Sequence, residues 1–292
     1  MELLTSGEAA AYLRLKERKL YELVAERAVP CTKVTGRWLF PKADLDRWLT
    51  QGLGGNALAA PDAPPIIGGS HDPLLEWALR ESGAGLAILA EGSEVGLSRL
   101  AKGEVLAAAI HLHALEDLQT DANAAGAAAL TRSHEMVLIA FASREQGVIV
   151  DATNRHRLQT VEDVARKGLR IAQRPSGAGA QLLLLSLLQR AGVAFDAAAR
   201  GPLCPTGNDI AQAIQAGHAD CGIASRAVAT AAGLGFVPVL WERFDLLLRQ
   251  RDYFKAPMQT LIAFTRSGRF AQRAREMTGY DVTEAGAVRF VR

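Results

Sequence analysis

A chain of 292 residues, 49% of them hydrophobic, is long enough for two cored domains and too apolar to be disordered on a large scale. No apolar run is long and clean enough to span a bilayer, and Met1-Glu2-Leu3-Leu4 lacks the basic region and apolar core of a signal peptide, so a cytoplasmic protein with no membrane partner is expected. The formal net charge is +2, with nine Lys/Arg against seven Asp/Glu in residues 1–50 and an even balance beyond, so charge alone does not establish nucleic-acid binding.

Residues 1–50 form a compact pattern. Thr5-Ser6-Gly7-Glu8 has the spacing of a capping box, opening a short helix that runs to about Leu13. A second helix is expected from near Lys16 to near Glu26, with Leu20, Leu23 and Val24 on one buried stripe. Lys16, Arg18 and Lys19 lie mostly off that stripe. Pro30 blocks further helix. Thr32-Lys33-Val34 and Arg37-Trp38-Leu39-Phe40 flank Thr35-Gly36, which reads as a hairpin turn. Pro41 suits the first turn of a third helix, whose apolar face would be Leu45, Trp48 and Leu49. Helix, turn, basic helix, hairpin, helix is a winged helix-turn-helix plan. Its second helix fits a major groove, and Lys33 and Arg37 at the hairpin tip can reach phosphates.

The stretches "LTSGEAAAYLRL", "RKLYELVAERAVP" and "TKVTGRWLFPKADLDRWL" resemble the excisionase/MerR-type DNA-binding domain. The resemblance implies double-stranded DNA as a partner, contacted by Lys16, Arg18, Lys19, Tyr21 and Arg37. The family often opens its second helix with a small hydroxyl residue, and Lys16 stands there instead.

"TQGLGGNALAAPDAPP" is rich in Gly, Ala and Pro and reads as a linker over residues 51–65. From Ile66 onward, short apolar runs alternate with helical stretches. "PIIGGS", "GLAILAEG" and "EVLAAAIHL" read as strands, with helices over "HDPLLEWALRESG" and "SEVGLSRLAKG". This βαβαβ rhythm predicts a parallel sheet. A second set begins at "HEMVLIAFASRE", with helices over "TVEDVARKG", "SGAGAQLLLLSLLQRAG" and "TGNDIAQAIQAG" and strands over "LRIAQR" and "ADCGIA". "FVPVLWERFDLLLRQ" reads as a return strand before terminal helices. The expectation is two α/β lobes, about 66–134 with 240–292 and about 135–239. Three strand-to-helix junctions, at residues 68–72, 91–94 and 174–179, offer free amides beside hydroxyl groups, a pattern that favours a small anion or polar group. Met136, Phe141 and the leucines of 182–188 read as core, Asp209 and Asp220 as structural, and Arg226 as either a ligand contact or a salt-bridge partner.

"GGSHDPLLEWA", "EGSEVGLSRLAKGEVLAAAIHL", "RPSGAGAQLLL", "GNDIAQAIQAGHADCGIASRAVA" and "MTGYDVTEAGAVRFV" together resemble the type II periplasmic-binding-protein fold of cytosolic regulators, closest to the molybdate/tungstate type. The resemblance implies that Ser70, Ser93 and Ser176 line a cleft together with the amides of His71 and Gly177. At the third junction the family often reads Gly-Ser-Gly-Thr-Arg, and the Ser-Gly-Ala-Gly-Ala-Gln here lacks that threonine and arginine. A molybdate-like oxyanion and a small organic acid both remain open as effector.

Cys31, Cys204 and Cys221 fit neither a zinc site nor a disulfide framework. His111 and His113 alternate onto one face, but two histidines alone do not make a metal site, so no metal is expected. There is no Walker loop, GxSxG elbow or HExxH, so no catalytic residue and no cofactor beyond the effector is expected. The fold class expected is α/β: a small winged helix-turn-helix followed by a two-lobed binding-protein-like domain, residues 66–292. The function expected is a one-component transcriptional regulator, homodimeric because winged modules usually read paired half-sites. A solute-binding or accessory protein that does not bind DNA is the alternative.

Overall fold

The computed structural model describes residues 2–26, 28–33, 36–52, 62–113, 121–130, 135–160, 163–164, 167–194 and 200–291. The chain divides into two compact units, Met1–Asp62 and Ala63–Arg292.

The first unit runs β1 (Leu3–Thr5), α1 (Ser6–Tyr12), α2 (Glu17–Ala25), β2 (Leu39–Pro41) and α3 (Lys42–Gly52). The capping box is present: the Thr5 hydroxyl accepts from the Glu8 amide, and the Thr5 amide donates to the Glu8 carboxylate at 2.8 Å. At α2 the N-cap is Lys16, which makes no side-chain cap bond. Arg14 turns the chain between the two helices at φ 54°. Ala9, Leu20, Phe40 and Leu45 are fully buried around Val24 and Val29, and each large apolar side chain buried this way contributes about 1.5–3 kcal/mol. Three local expectations change. Leu39–Pro41 pairs mainly with β1, Leu4 opposite Phe40, and meets the preceding segment at one bridge, Thr32–Leu39. That pairing draws Phe40 into the core. Pro41 therefore ends a strand, and α3 starts one residue later. Leu49 is exposed, so the buried face of α3 is Leu45 with half-buried Trp48. Val34 and Thr35, within the expected hairpin, lie outside the described residues.

The second unit holds β3 (Ile66–Gly69), α4 (Pro73–Glu81), β4 (Ala87–Ala90), α5 (Ser93–Lys102), β5 (Ala107–Ile110), α6 (Ala122–Leu130), β6 (Met136–Val150) and β7 (Ile171–Gln173). It continues with α7 (Gly179–Arg190), β8 (Arg200–Leu203), α8 (Gly207–Gln215), β9 (Cys221–Ser225), α9 (Arg226–Ala231) and β10 (Gly235–Arg249). The end is α10 (Gln250–Tyr253), α11 (Ala256–Thr265), α12 (Gly268–Met277), β11 (Tyr280–Asp281) and β12 (Val288–Val291). Most of the helix expected over residues 160–168 falls on positions outside or beside gaps in the described residues.

The strand order is β4-β3-β5-β10-β6-β9-β7-β8, with β11 and β12 added to β6. The strands β3, β4 and β5 are mutually parallel, as are β7, β8 and β9. The parallel sheet expected from the βαβαβ rhythm is present in β3, β4 and β5, and the sheet turns antiparallel at its centre. β6 and β10, fifteen residues each, run antiparallel to each other along their length, β10 against β5 at one end and β6 against β9 at the other. Two long strands thus pass through both lobes, and the parallel triplets attach to opposite ends of the ladder. Helices cover both faces in each lobe. Phe141, Phe244 and Phe270 pack edge to face in one core of the first lobe, with Phe141 5.9 and 5.4 Å from the other two rings. Met136 and Leu138 fill its second core. In the other lobe Leu183, Leu184 and Leu188 face one core and Ile149 and Ile210 another.

Candidate functional site

The middle of the β6–β10 ladder positions the site. Register shifts occur in β10 between Pro238 and Leu240 and between Phe244 and Asp245. Between them Arg144 and Glu242 are cross-strand partners, both buried. Arg144 Nε donates to Glu242 Oε1 at 2.6 Å, and its Nη1 donates to Asp72 Oδ2 at 2.8 Å. Asp72 also caps α4, accepting from the amides of Leu74 and Leu75 at 2.9 Å, and receives the Tyr280 hydroxyl. The Arg144 guanidinium lies 4.3 Å from the centre of the Phe244 ring. Burial alone would lower the Arg144 pKa, but Glu242 and Asp72 outweigh it and raise it.

Four donors converge on Glu242. Gln146 Nε2 joins Arg144 on Oε1 at 2.8 Å. His113 Nε2 is 2.7 Å from Oε2, and His111 Nδ1 is 3.1 Å from the carboxylate. Burial alone would raise the Glu242 pKa, but His111, Arg144 and His113 hold it well below the usual carboxylate range. Burial pushes His111 down to about 4 despite its carboxylate neighbour, so at neutral pH this imidazole is uncharged.

Beside this cluster a narrow cavity of about 20 Å³, room for one small polar group, opens between the lobes. His71, His111, Arg144 and Gln146 line one side; Arg174, Ala180, Gly207 and Ser225 line the other. Ala180 lies in the first turn of α7, whose N-cap Ala178 supplies no side-chain bond. Arg174 makes no ion pair among the described residues. Its Nη2 donates to the Pro205 carbonyl at 2.7 Å, and its Nε has no partner. Burial and the nearby charge of Arg144 push the Arg174 pKa down to about 10. Gln146 Oε1 is likewise buried without a partner. The cavity therefore holds two guanidinium groups, one of them short of acceptors, together with unfilled hydrogen-bonding capacity.

The lobes meet at one edge of this cavity. The Glu94 amide at the start of α5 donates to the Gly177 carbonyl at 3.3 Å. Gly177 has φ 78°, and a side chain on it would overlap the Glu94 carboxylate. A Cβ at Gly179 would overlap the His111 carbonyl oxygen.

The sequence-based ligand candidates are distributed around this geometry. His71 lines the cavity. Ser70 and Ser93 are buried and bonded to each other at 2.8 Å, and the Ser93 hydroxyl also receives the His111 amide. Gly177 belongs to the seam, and Ser176 is exposed. Gln181 turns away from the cavity, accepting from the Arg174 amide and donating to Gln173. Arg226 closes an ion pair with Glu145, which decides the alternative left open for it. Asp209 caps α8 with Thr206, and Asp220 pairs with Arg170. Arg144, Gln146, Arg174 and Glu242 were not singled out from sequence. The one available signal was Arg174, the residue that opens the third junction.

In the first unit Lys16, Arg18, Lys19 and Tyr21 are all exposed on or just before α2. Glu22 pairs with Arg18 at 3.4 Å and Lys19 at 3.1 Å. Lys33 and Arg37 are exposed, and the Lys33 ammonium sits 5.3 Å from the Trp38 ring centre.

The profile of the PBP superfamily domain matches residues 76–266, and the chain belongs to that family. A helix-turn-helix domain profile matches residues 3–52. An uncharacterized protein, YvgK, of Bacillus subtilis (strain 168) is 24% identical over 304 aligned residues, spanning 97% of this chain and 96% of its own length. A putative phosphate ABC transporter substrate-binding protein with bound phosphate from Clostridium perfringens superposes with a TM-score of 0.54 at 13% identity, over 73% of this chain and 96% of that one. An ABC-type phosphate transport receptor from Vibrio cholerae gives 0.47 at 15% identity, over 74% and 98%. The fold is thus a two-lobed binding-protein fold preceded by a helix-turn-helix. The two modules point to DNA binding and to ligand binding. Among the described residues no helix is long and apolar enough to cross a membrane.

Proposed function

We propose that the chain is a cytoplasmic, ligand-responsive transcriptional regulator whose effector is a small oxyanion, molybdate or tungstate foremost, held between the lobes. The observation that carries this reading is the pairing of Arg174 with Arg144 at one cavity. Arg174 is half-buried beside a like charge, its enclosed Nε has no acceptor, and it lacks an ionic partner among the described residues. An anion entering there relieves that repulsion and gains charge-assisted hydrogen bonds. His71 and the open first turn of α7 add donors beside the two arginines. Binding would favour the closed arrangement of the lobes, and a ligand shifts such an equilibrium by its differential affinity for the two states. The winged module, as a homodimer, would contact duplex DNA through Lys16, Arg18, Lys19, Tyr21, Lys33 and Arg37. This reading assigns no catalytic step to the chain.

The test is calorimetric titration of the full chain with molybdate, tungstate, sulfate, phosphate and small carboxylic acids. Arg174→Leu should reduce affinity for the preferred anion by tenfold or more while changing stability by less than about 1 kcal/mol. Binding of a neutral solute in preference to every anion, or unchanged anion affinity in that variant, would overturn the reading. Preference for a carboxylic acid over the tetrahedral anions would assign the organic-acid alternative.

A further inference from the structure

We propose that His111, His113 and Glu242 form a binding site for a divalent first-row transition cation, with Zn²⁺ as the probe. The sequence places the two histidines two residues apart at the end of β5. The third donor comes from the middle of β10, 129 residues beyond His113. One potential ligand atom from each of the three residues lies within 4.8 Å of the others. Two donors each about 2.1 Å from one metal stand about 3.4 Å apart at the tetrahedral angle of zinc, so these groups would open by about 0.3–0.7 Å to admit an ion. Here His113 Nε2 and His111 Nδ1 lie 2.7 and 3.1 Å from the Glu242 carboxylate.

The surroundings favour the same assignment. Arg144 and Gln146 both occupy Glu242 Oε1, which fixes the carboxylate and leaves Oε2 toward the imidazoles. Ligating carboxylates are commonly held by such outer hydrogen bonds. Gln146 also keeps a buried Oε1 with no partner at the same cavity, an acceptor suited to a metal-bound water. Two imidazoles and one carboxylate form a donor set suited to zinc and to other first-row ions with open positions. His111 lines the cavity, so those positions would be reached from the cleft. The ion would tie the end of β5 to the mid-ladder of β10 and place a fixed positive charge beside the arginines.

The experiment uses the tag-free full chain after dialysis against a chelator. Titration with Zn²⁺ should show one tight equivalent, and Co²⁺ should give a visible ligand-field spectrum and X-ray absorption features of imidazole coordination. His113→Asn should weaken Zn²⁺ binding by about a hundredfold. Should that variant unfold, the Co²⁺ spectrum of the native chain still decides the matter. Absence of a stoichiometric site, or a spectrum of water and carboxylate oxygens alone, overturns the proposal. So does equal affinity in a folded His113→Asn chain. The titration requires neither DNA nor anion, so its outcome is independent of the regulator reading.

Discussion

Arg144 and Glu242 are cross-strand partners in the β6–β10 ladder, Nε 2.6 Å from Oε1, between the two register shifts of β10. Neither stands alone: Asp72 takes the other end of the guanidinium, and His111, His113 and Gln146 take the remaining capacity of the carboxylate. Removing one member of such a buried set strands the rest. Arg144→Met should therefore destabilise the large unit by about 3–5 kcal/mol. Urea midpoints at constant slope would measure it, and a change below 1 kcal/mol would contradict the structural role given to this pair.

Arg18 has its side chain 93% exposed and, among the described residues, pairs with Glu22 on its own helix surface. Its expected work is phosphate contact. Arg18→Ala should weaken binding to specific and random duplexes alike and reduce the salt slope of log affinity by about one. Anion titration of the same variant should match the parent chain. Loss of anion binding alongside DNA binding would sink the division of labour between the two units.

The seam between the lobes closes because Gly179 leaves the His111 carbonyl uncrowded. Gly179→Ala introduces one methyl group into that contact. The lobes should part slightly, anion affinity should fall at least tenfold, and scattering should report a larger radius of gyration. Strain from overpacking of this kind costs about 1–3 kcal/mol. Tight anion binding in this variant would show that closure does not depend on the seam.

Asp220 ties the Arg170 backbone and side chain at 2.9 and 3.0 Å, and those bonds hold its pKa down to about 2 against an ordinary 3.8. The folded form keeps this carboxylate ionised where the unfolded chain protonates it. The resulting stability is fully present above about pH 4 and is lost as the pH falls toward 2. Asp220→Asn should lower stability by about 1–2 kcal/mol at neutral pH and flatten the acid limb between pH 4 and 2. An acid limb identical to the parent would exclude the pair as its cause.

Local signals were strongest where one residue decides the outcome. Thr5 and Glu8 announce their capping box, and Leu20 and Val24 mark a buried stripe on α2. Strand positions along the large unit were legible for the same reason, since short apolar runs alternate with periodic ones. Strand direction was not. Nothing local in "HEMVLIAFASRE" says that it pairs antiparallel with a segment a hundred residues later. The cavity was legible only in part. His71 sits at a recognisable helix start, whereas Arg144, Gln146 and Glu242 lie inside strand runs where a polar residue reads as solvent-facing. Only the pairing of β6 with β10 turns them toward one another. Ser70 and Ser93 carried the right chemistry for a ligand, but the structure spends their hydroxyls on each other and on the His111 backbone.

The two long central strands also set how the large unit must come apart. Each lobe draws part of its sheet from the same pair of strands, so neither can melt while its sibling keeps a complete set of edges. Residues 63–292 should accordingly denature in one cooperative step despite their several apolar cores. Among the described residues the small amino-terminal unit shares no strand with them, and nothing in its own sheet obliges it to follow.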